Sequence, residues 1–204
     1  MSTDVNMERA ILESATELFL RKGFNATSTT EIARNAGCNQ ALVHYYYRTK
    51  ERLFEAIFQE KIKVFVGALL DVESSDLPFF ERLTKRIEAH FEAIRKDSGL
   101  PLFFLSEISA NPDRIDSIKS FVGDLPDRAI QQMHDELNEE MSKGTIRPTE
   151  VKDLLMTIVS MNIMGFLGAP LFKLMTRQTD EAYEAFLDHR KKENVRIVLQ
   201  SLKP

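Results

Sequence analysis

Residues 28–47 read STTEIARNAGCNQALVHYYY, and the spacing of their caps, apolar residues and single glycine decides the fold of this chain. Ser28 followed by Glu31 is a capping box, in which the Ser28 side chain accepts from the backbone at Glu31 and the Glu31 side chain reaches back. A short helix starts there and runs through Ile32 and Ala33 towards Gly37, a residue that tolerates positive φ. Asn39 then caps a second short helix ending around Tyr46. Two short helices joined by a tight glycine turn make a helix-turn-helix. Their close crossing needs a small residue, supplied by Ala33, and Ile32, Ala36, Cys38 and Val43 fall at spacings that bury them between the helices. Tyr47, one turn beyond Val43, points the same way.

With Val43 and Tyr47 inward, the second helix presents Gln40, Ala41, Leu42, His44, Tyr45 and Tyr46 outward. Gln pairs with adenine edges, Ala and Leu meet thymine methyls, and His and Tyr donate to phosphate oxygens on short, stiff side chains. Thr29, in the first turn of the preceding helix, and Lys50, at the start of the following one, are placed for phosphate. The plainer alternative is that residues 29–46 only pack two short helices, with the threonines acting as caps.

Working outward, the chain reads as all-α. ERAILESATELFLRKG puts Ile11, Leu12, Ala15, Leu18 and Phe19 on one stripe and stops at Gly23. Thr49 caps a long helix through Leu53, Phe54, Ile57, Phe58 and Phe65. Further helices are expected at about 77–97, 101–122 with a break at Asn111-Pro112, 126–143, 148–175 and 180–202. That makes about nine.

Of the 204 residues, 27 are Lys or Arg and 31 Asp or Glu, a net charge of −4. That excess lies beyond residue 55, because residues 1–55 hold seven of each sign and are neutral. The one cysteine, Cys38, allows no internal disulfide, and His90 and His134 are too isolated to suggest a metal, so neither metal nor cofactor is expected. MSTDVNMERA has no basic n-region and no apolar h-region, so no export and a cytoplasmic location are expected. LLMTIVSMNIMGFLGAPLF, 154–172, is long enough to span a bilayer. Thr157, Ser160, Asn162 and Pro170 interrupt it, and a buried helix at a subunit contact is expected rather than a membrane segment.

Gly23 to Phe58, GFNATSTTEIARNAGCNQALVHYYYRTKERLFEAIF, resembles the DNA-binding segment of TetR/AcrR-type transcriptional regulators. Their usual form is Gly-Phe/Tyr, a Thr-rich run, Ile-Ala, Ala-Gly-Val-Ser, Tyr-Tyr-His-Phe and a Lys-Glu helix start. The match covers roughly the first quarter of the chain. Cys38 stands where Val is usual, Asn39 for Ser, His44 for the first Tyr, Tyr46 for His and Tyr47 for Phe. His44 and Tyr46 change the donors at the DNA surface, so base preference does not carry over from relatives.

The resemblance implies a three-helix N-terminal DNA-binding domain, residues 1–52, on a larger helical effector-binding and dimerisation domain, residues 53–204. It implies a homodimer on a double-stranded, pseudo-palindromic operator, with contacts from Thr29, Asn39, Gln40, Ala41, His44, Tyr45, Tyr46 and Lys50. Helices at about 148–175 and 180–202 would form the dimer contact as a four-helix bundle. The Phe- and Met-rich stretch 79–175 suggests a pocket for a small apolar or aromatic effector, with Phe91, Phe103, Phe104, Met133, Met161 and Phe166 as candidate lining, although an ordinary core explains most of them. No catalytic constellation is present, so an all-α enzyme is disfavoured. A helical DNA- or ligand-binding protein without specific operator readout is the remaining alternative to a ligand-released repressor.

Overall fold

The computed structural model describes residues 2–70 and 77–204. Among them every regular element is an α-helix: α1 (Ser2–Lys22), α2 (Thr29–Asn35), α3 (Gln40–Tyr47), α4 (Lys50–Leu70), α5 (Phe79–Lys96), α6 (Leu100–Ala110), α7 (Arg114–Val122), α8 (Leu125–Ser142), α9 (Val151–Leu167), α10 (Ala169–Thr176) and α11 (Asp180–Ser201). Eleven described helices replace the nine expected. The Asn111-Pro112 break separates α6 from α7, and a second break falls inside the expected 148–175 helix.

That second break is at Gly168, where α9 and α10 meet at a 61° bend. Pro170 lacks an N–H and its ring clashes with the carbonyl four residues back, so it ends one helix and is tolerated only in the first turn of the next. A Cβ at Gly168 would lie 2.9 Å from the Met164 carbonyl oxygen, so the close approach needs glycine. No single helix among the described residues is long and apolar enough to cross a membrane. The 154–172 run is folded at this bend, and α9 buries Leu154, Ile158, Asn162 and Phe166 within the protein.

The chain forms two compact units, Met1–Lys63 with Leu102–Phe121 and Val64–Pro101 with Val122–Pro204. In the first, α1 buries Ile11, Ala15, Leu18 and Phe19. It ends where Gly23 takes φ 77° and donates its N–H to the Phe19 carbonyl at 2.8 Å. A run of aromatic rings crosses this unit: Phe19 and Phe24 lie 5.2 and 5.0 Å from Phe54, Phe54 and Phe58 stack, and Phe103 and Phe104 close on Phe58. Burying each such ring contributes about 2–3 kcal/mol.

In the second unit α5, α9 and α11 pack together, with α8 against α9. One core holds Leu83, Ile87, Met133, Leu137, Ile158 and Val198, and the other Phe91, Ile94, Phe166, Tyr183 and Leu187. Arg86, nearly closed from solvent, joins α5 to α8 by donating to both Glu136 oxygens at 2.7 and 3.0 Å.

Candidate DNA-binding site

Local chemistry fixes α2 and α3. The Ser28 hydroxyl accepts from the Glu31 N–H at 3.2 Å, and Asn39 Oδ1 accepts from the Leu42 N–H at 3.0 Å, so each short helix has a side-chain N-cap. The expected return arm of the capping box is replaced: the Glu31 carboxylate pairs with Lys22 of α1, which holds it below the usual carboxylate range. Gly37 turns the chain at φ 71°, while Cys38 N–H donates to the Ala33 carbonyl at 2.9 Å. Ile32, Ala33 and Val43 are closed from solvent; Ala36, Cys38 and Tyr47 are half-buried. Burial pushes the Cys38 thiol up, so it stays protonated. It pushes the Tyr47 phenol up as well, with help from the charges of Glu8 and Glu60.

Ser14 is a buried residue that the sequence reading did not single out. Its hydroxyl donates to the Ile32 carbonyl at 3.0 Å and ties α1 to α2. The available signal was its place beside Ile11, Ala15 and Leu18 on the buried stripe.

On α3, Gln40, Ala41, His44 and Tyr45 are exposed, as is Asn39 before it, while Leu42 and Tyr46 are half-buried. Tyr45 and Tyr46 meet edge-on at 5.2 Å. Gln40 Nε2 donates to Thr29 Oγ1 at 2.9 Å and lies 3.4 Å from His44 Nε2. The Thr30 hydroxyl donates to Gln40 Oε1 at 3.3 Å, and His44 Nδ1 is 3.0 Å from the Arg48 carbonyl oxygen. Lys50 Nζ donates to the carbonyls of Phe24 and Thr27, at 3.0 Å each, and lies 4.1 Å over the Phe24 ring. Two of its three protons are used, leaving one for a phosphate.

Between α3 and α4, Arg48 has φ 62° and ψ −55°, and Thr49 N–H donates across it to the Tyr47 carbonyl at 2.6 Å. This is a γ-turn in the region that L-residues rarely adopt. The Thr49 hydroxyl then accepts from Arg52 N–H at 3.2 Å and caps α4.

The residues expected to line an effector pocket are divided between the two units. Phe103 and Phe104 belong to the ring run of the first unit. Met133 lies in one core of the second unit, and Phe91 and Phe166 pair at 5.0 Å in the other. Met161 lines a half-open cavity of about 370 Å³ with Met164, Phe172, Tyr183, Phe186 and Arg190. A polar chain runs inward from that cavity: Arg190 donates to Asn194 Oδ1, Asn194 Nδ2 to Asn162 Oδ1, and Asn162 Nδ2 to the Ile87 carbonyl and towards His90 Nδ1 at 3.1 Å. His90 Nε2 is buried without a hydrogen-bond partner among the described residues, and burial pushes the imidazole pKa down to about 4.

Residues 11–57 match the family model described as bacterial regulatory proteins, tetR family. The HTH-type transcriptional repressor KstR2 of Mycobacterium tuberculosis is 25% identical over 154 residues, 74% of this chain and 75% of its own. The HTH-type transcriptional regulator YhgD of Bacillus subtilis is 22% identical over 146 residues, 72% and 75% of the two chains. Residues 11–57 thus form a TetR-type DNA-binding domain. HlyIIR, a hemolysin II transcriptional regulator, shares the fold, with a TM-score of 0.60 at 20% identity over 98% of this chain and 99% of its own. With that domain and these relatives, the protein is a DNA-binding transcriptional regulator and not an enzyme.

Proposed function

We propose that this TetR-type regulator represses transcription by binding a pseudo-palindromic operator as a homodimer, and that a small apolar or aromatic effector releases it. The observation that carries this reading is the pair of side-chain-capped helices α2 and α3, which present Gln40, Ala41, His44 and Tyr45 on an exposed face. Residues 1–52 make the DNA contacts, through Thr29, Asn39, Gln40, Ala41, Leu42, His44, Tyr45, Tyr46 and Lys50. Residues 53–204 carry the effector site and the dimer contact, with α4 running through the boundary. The protein works in the cytoplasm, where its operator is. Repression as the default action follows KstR2, which is named a repressor.

Two protomers pair through α9, α10 and α11. Met156, Met164, Leu171, Leu174 and Met175 on α9 and α10 are more than half exposed in the protomer, an apolar surface that a second copy covers. The effector binds in the second unit near Phe91, Phe166 and Met161, and the unpartnered His90 nitrogen supports a ligand with one polar atom. It stabilises a conformer whose two recognition helices no longer match the roughly 34–36 Å repeat of successive major grooves.

Selection of bound duplexes from a random pool tests the reading. The expected product is a two-fold-related sequence whose affinity falls steeply with salt. Equal recovery of every sequence would leave a non-specific binder and end the proposal.

A further inference from the structure

The hydrogen bonds around Gln40 fix more than its position. A carbonyl oxygen only accepts, so the 3.0 Å contact of His44 Nδ1 with the Arg48 carbonyl places the ring proton on Nδ1. In the neutral ring Nε2 is then an acceptor, and the Gln40 group 3.4 Å from it must be the amide nitrogen, not the oxygen. That orientation agrees with the other two contacts, in which Gln40 Nε2 donates to Thr29 and Gln40 Oε1 accepts from Thr30. Both amide protons are therefore consumed within the protein. One lone pair of Oε1 remains.

We infer that Thr30 is a positioning residue for base readout, and that with His44 it locks Gln40 as a pure acceptor at the start of the recognition helix. This rests on the reading of α3 as the groove-facing helix. In the major groove an acceptor is met by the amino groups of adenine N6 and cytosine N4, and is opposed by guanine O6 and N7 and thymine O4. The two-point pairing of Gln with adenine N6 and N7 needs an amide N–H, which this network withholds. The contacted base is thus read as amino rather than keto, with adenine and cytosine nearly equivalent. The same donor count separates the two threonines. Thr29 accepts from Gln40 and keeps its own proton for a phosphate, whereas the Thr30 proton is spent on Gln40.

The test uses the full-length protein on its selected operator, with all four bases placed at the half-site position whose discrimination Gln40→Ala abolishes. Wild type is expected to prefer adenine and cytosine over guanine and thymine by roughly tenfold. Thr30→Val frees the amide to turn, so adenine should gain roughly tenfold over cytosine while the salt slope stays unchanged; His44→Phe should shift the profile the same way. Thr30→Ser restores the donor and should keep the wild-type profile, and circular dichroism shows that each variant is folded. An unchanged profile in Thr30→Val overturns the inference. So does a uniform loss on all four bases with a salt slope smaller by about one, which would make Thr30 a phosphate contact. If Gln40→Ala alters no position, Gln40 does not read a base. A wild type without preference anywhere in the duplex overturns the regulator reading itself, a result distinct from all of these.

Discussion

At the scale of single residues, titration and donor count separate structural groups from functional ones. His90 has a native pKa of about 4, set by burial, against roughly 6.5 in the unfolded chain. Between those values the unfolded chain binds a proton that the native state does not, so stability is complete above pH 6.5. It declines as pH falls towards 4 and then levels off, a loss of about 3 kcal/mol in all. His90→Phe should flatten that part of the profile, read as urea midpoints from pH 7 to 4.5; parallel slopes in the two proteins would assign the acid sensitivity to other groups. Tyr45 is the opposite case. The residue is 66% exposed and its ring packs only on Tyr46 among the contacts described, so Tyr45→Phe should leave the melting temperature alone. Removing its hydroxyl should weaken binding roughly fivefold on every duplex alike, as expected for a phosphate donor, and a changed base preference would reassign it to readout.

At the scale of elements, what the sequence revealed was what local chemistry determines. Ser28, Asn39 and Thr49 were legible as caps because a cap acts within three residues, and each accepts the expected backbone N–H. Gly23 and Gly37 were legible as turns, and both have positive φ. Long-range partners were not legible. Glu31 has the right spacing to close its box but meets Lys22, nine residues earlier, across a turn whose course the spacing does not give. Phe103 and Phe104 have the composition of pocket residues, yet the rings they meet are those of Phe54 and Phe58. Asn194 was not singled out, although its spacing from Leu187 and Val198 puts it on the buried stripe of α11. Thr30 was legible only as one hydroxyl of a helix N-terminus suited to phosphate, since only the crossing of α2 and α3 brings it to Gln40. The Arg48 turn was equally silent, and it yields a prediction. Arg48→Gly relieves a backbone strain of about 1–2 kcal/mol, offset by about 0.5–1 kcal/mol of added unfolded-state entropy, and keeps the carbonyl that His44 needs. Calorimetry should give a melting temperature unchanged or a few degrees higher, whereas Arg48→Val should lower it. A fall with glycine would mean that the Arg48 side chain stabilises the turn more than its backbone strains it.

At the scale of the whole molecule, the proposed pairing through α9 and α10 ties assembly to DNA binding. Leu174 is 76% and Met164 53% exposed in the protomer, so placing a charge at either leaves the protomer fold intact. In a dimer packed through these helices the same charge is buried across a two-fold axis, next to its own symmetry mate or an apolar partner, without a counter-ion. Leu174→Asp should therefore weaken self-association by at least roughly tenfold in sedimentation measurements. Because an operator with two half-sites is held by both recognition helices, its occupancy then depends on the fraction of protein that is dimeric. Operator binding by the variant should become steeper in protein concentration and shift to higher values, while the base preference of each half-site stays as in wild type. Met164→Asp gives an independent reading from α9. If both variants sediment as wild type, the copies meet elsewhere. If they dissociate yet bind the full operator with unchanged affinity, each half-site is bound independently, and release by an effector has to act within one protomer.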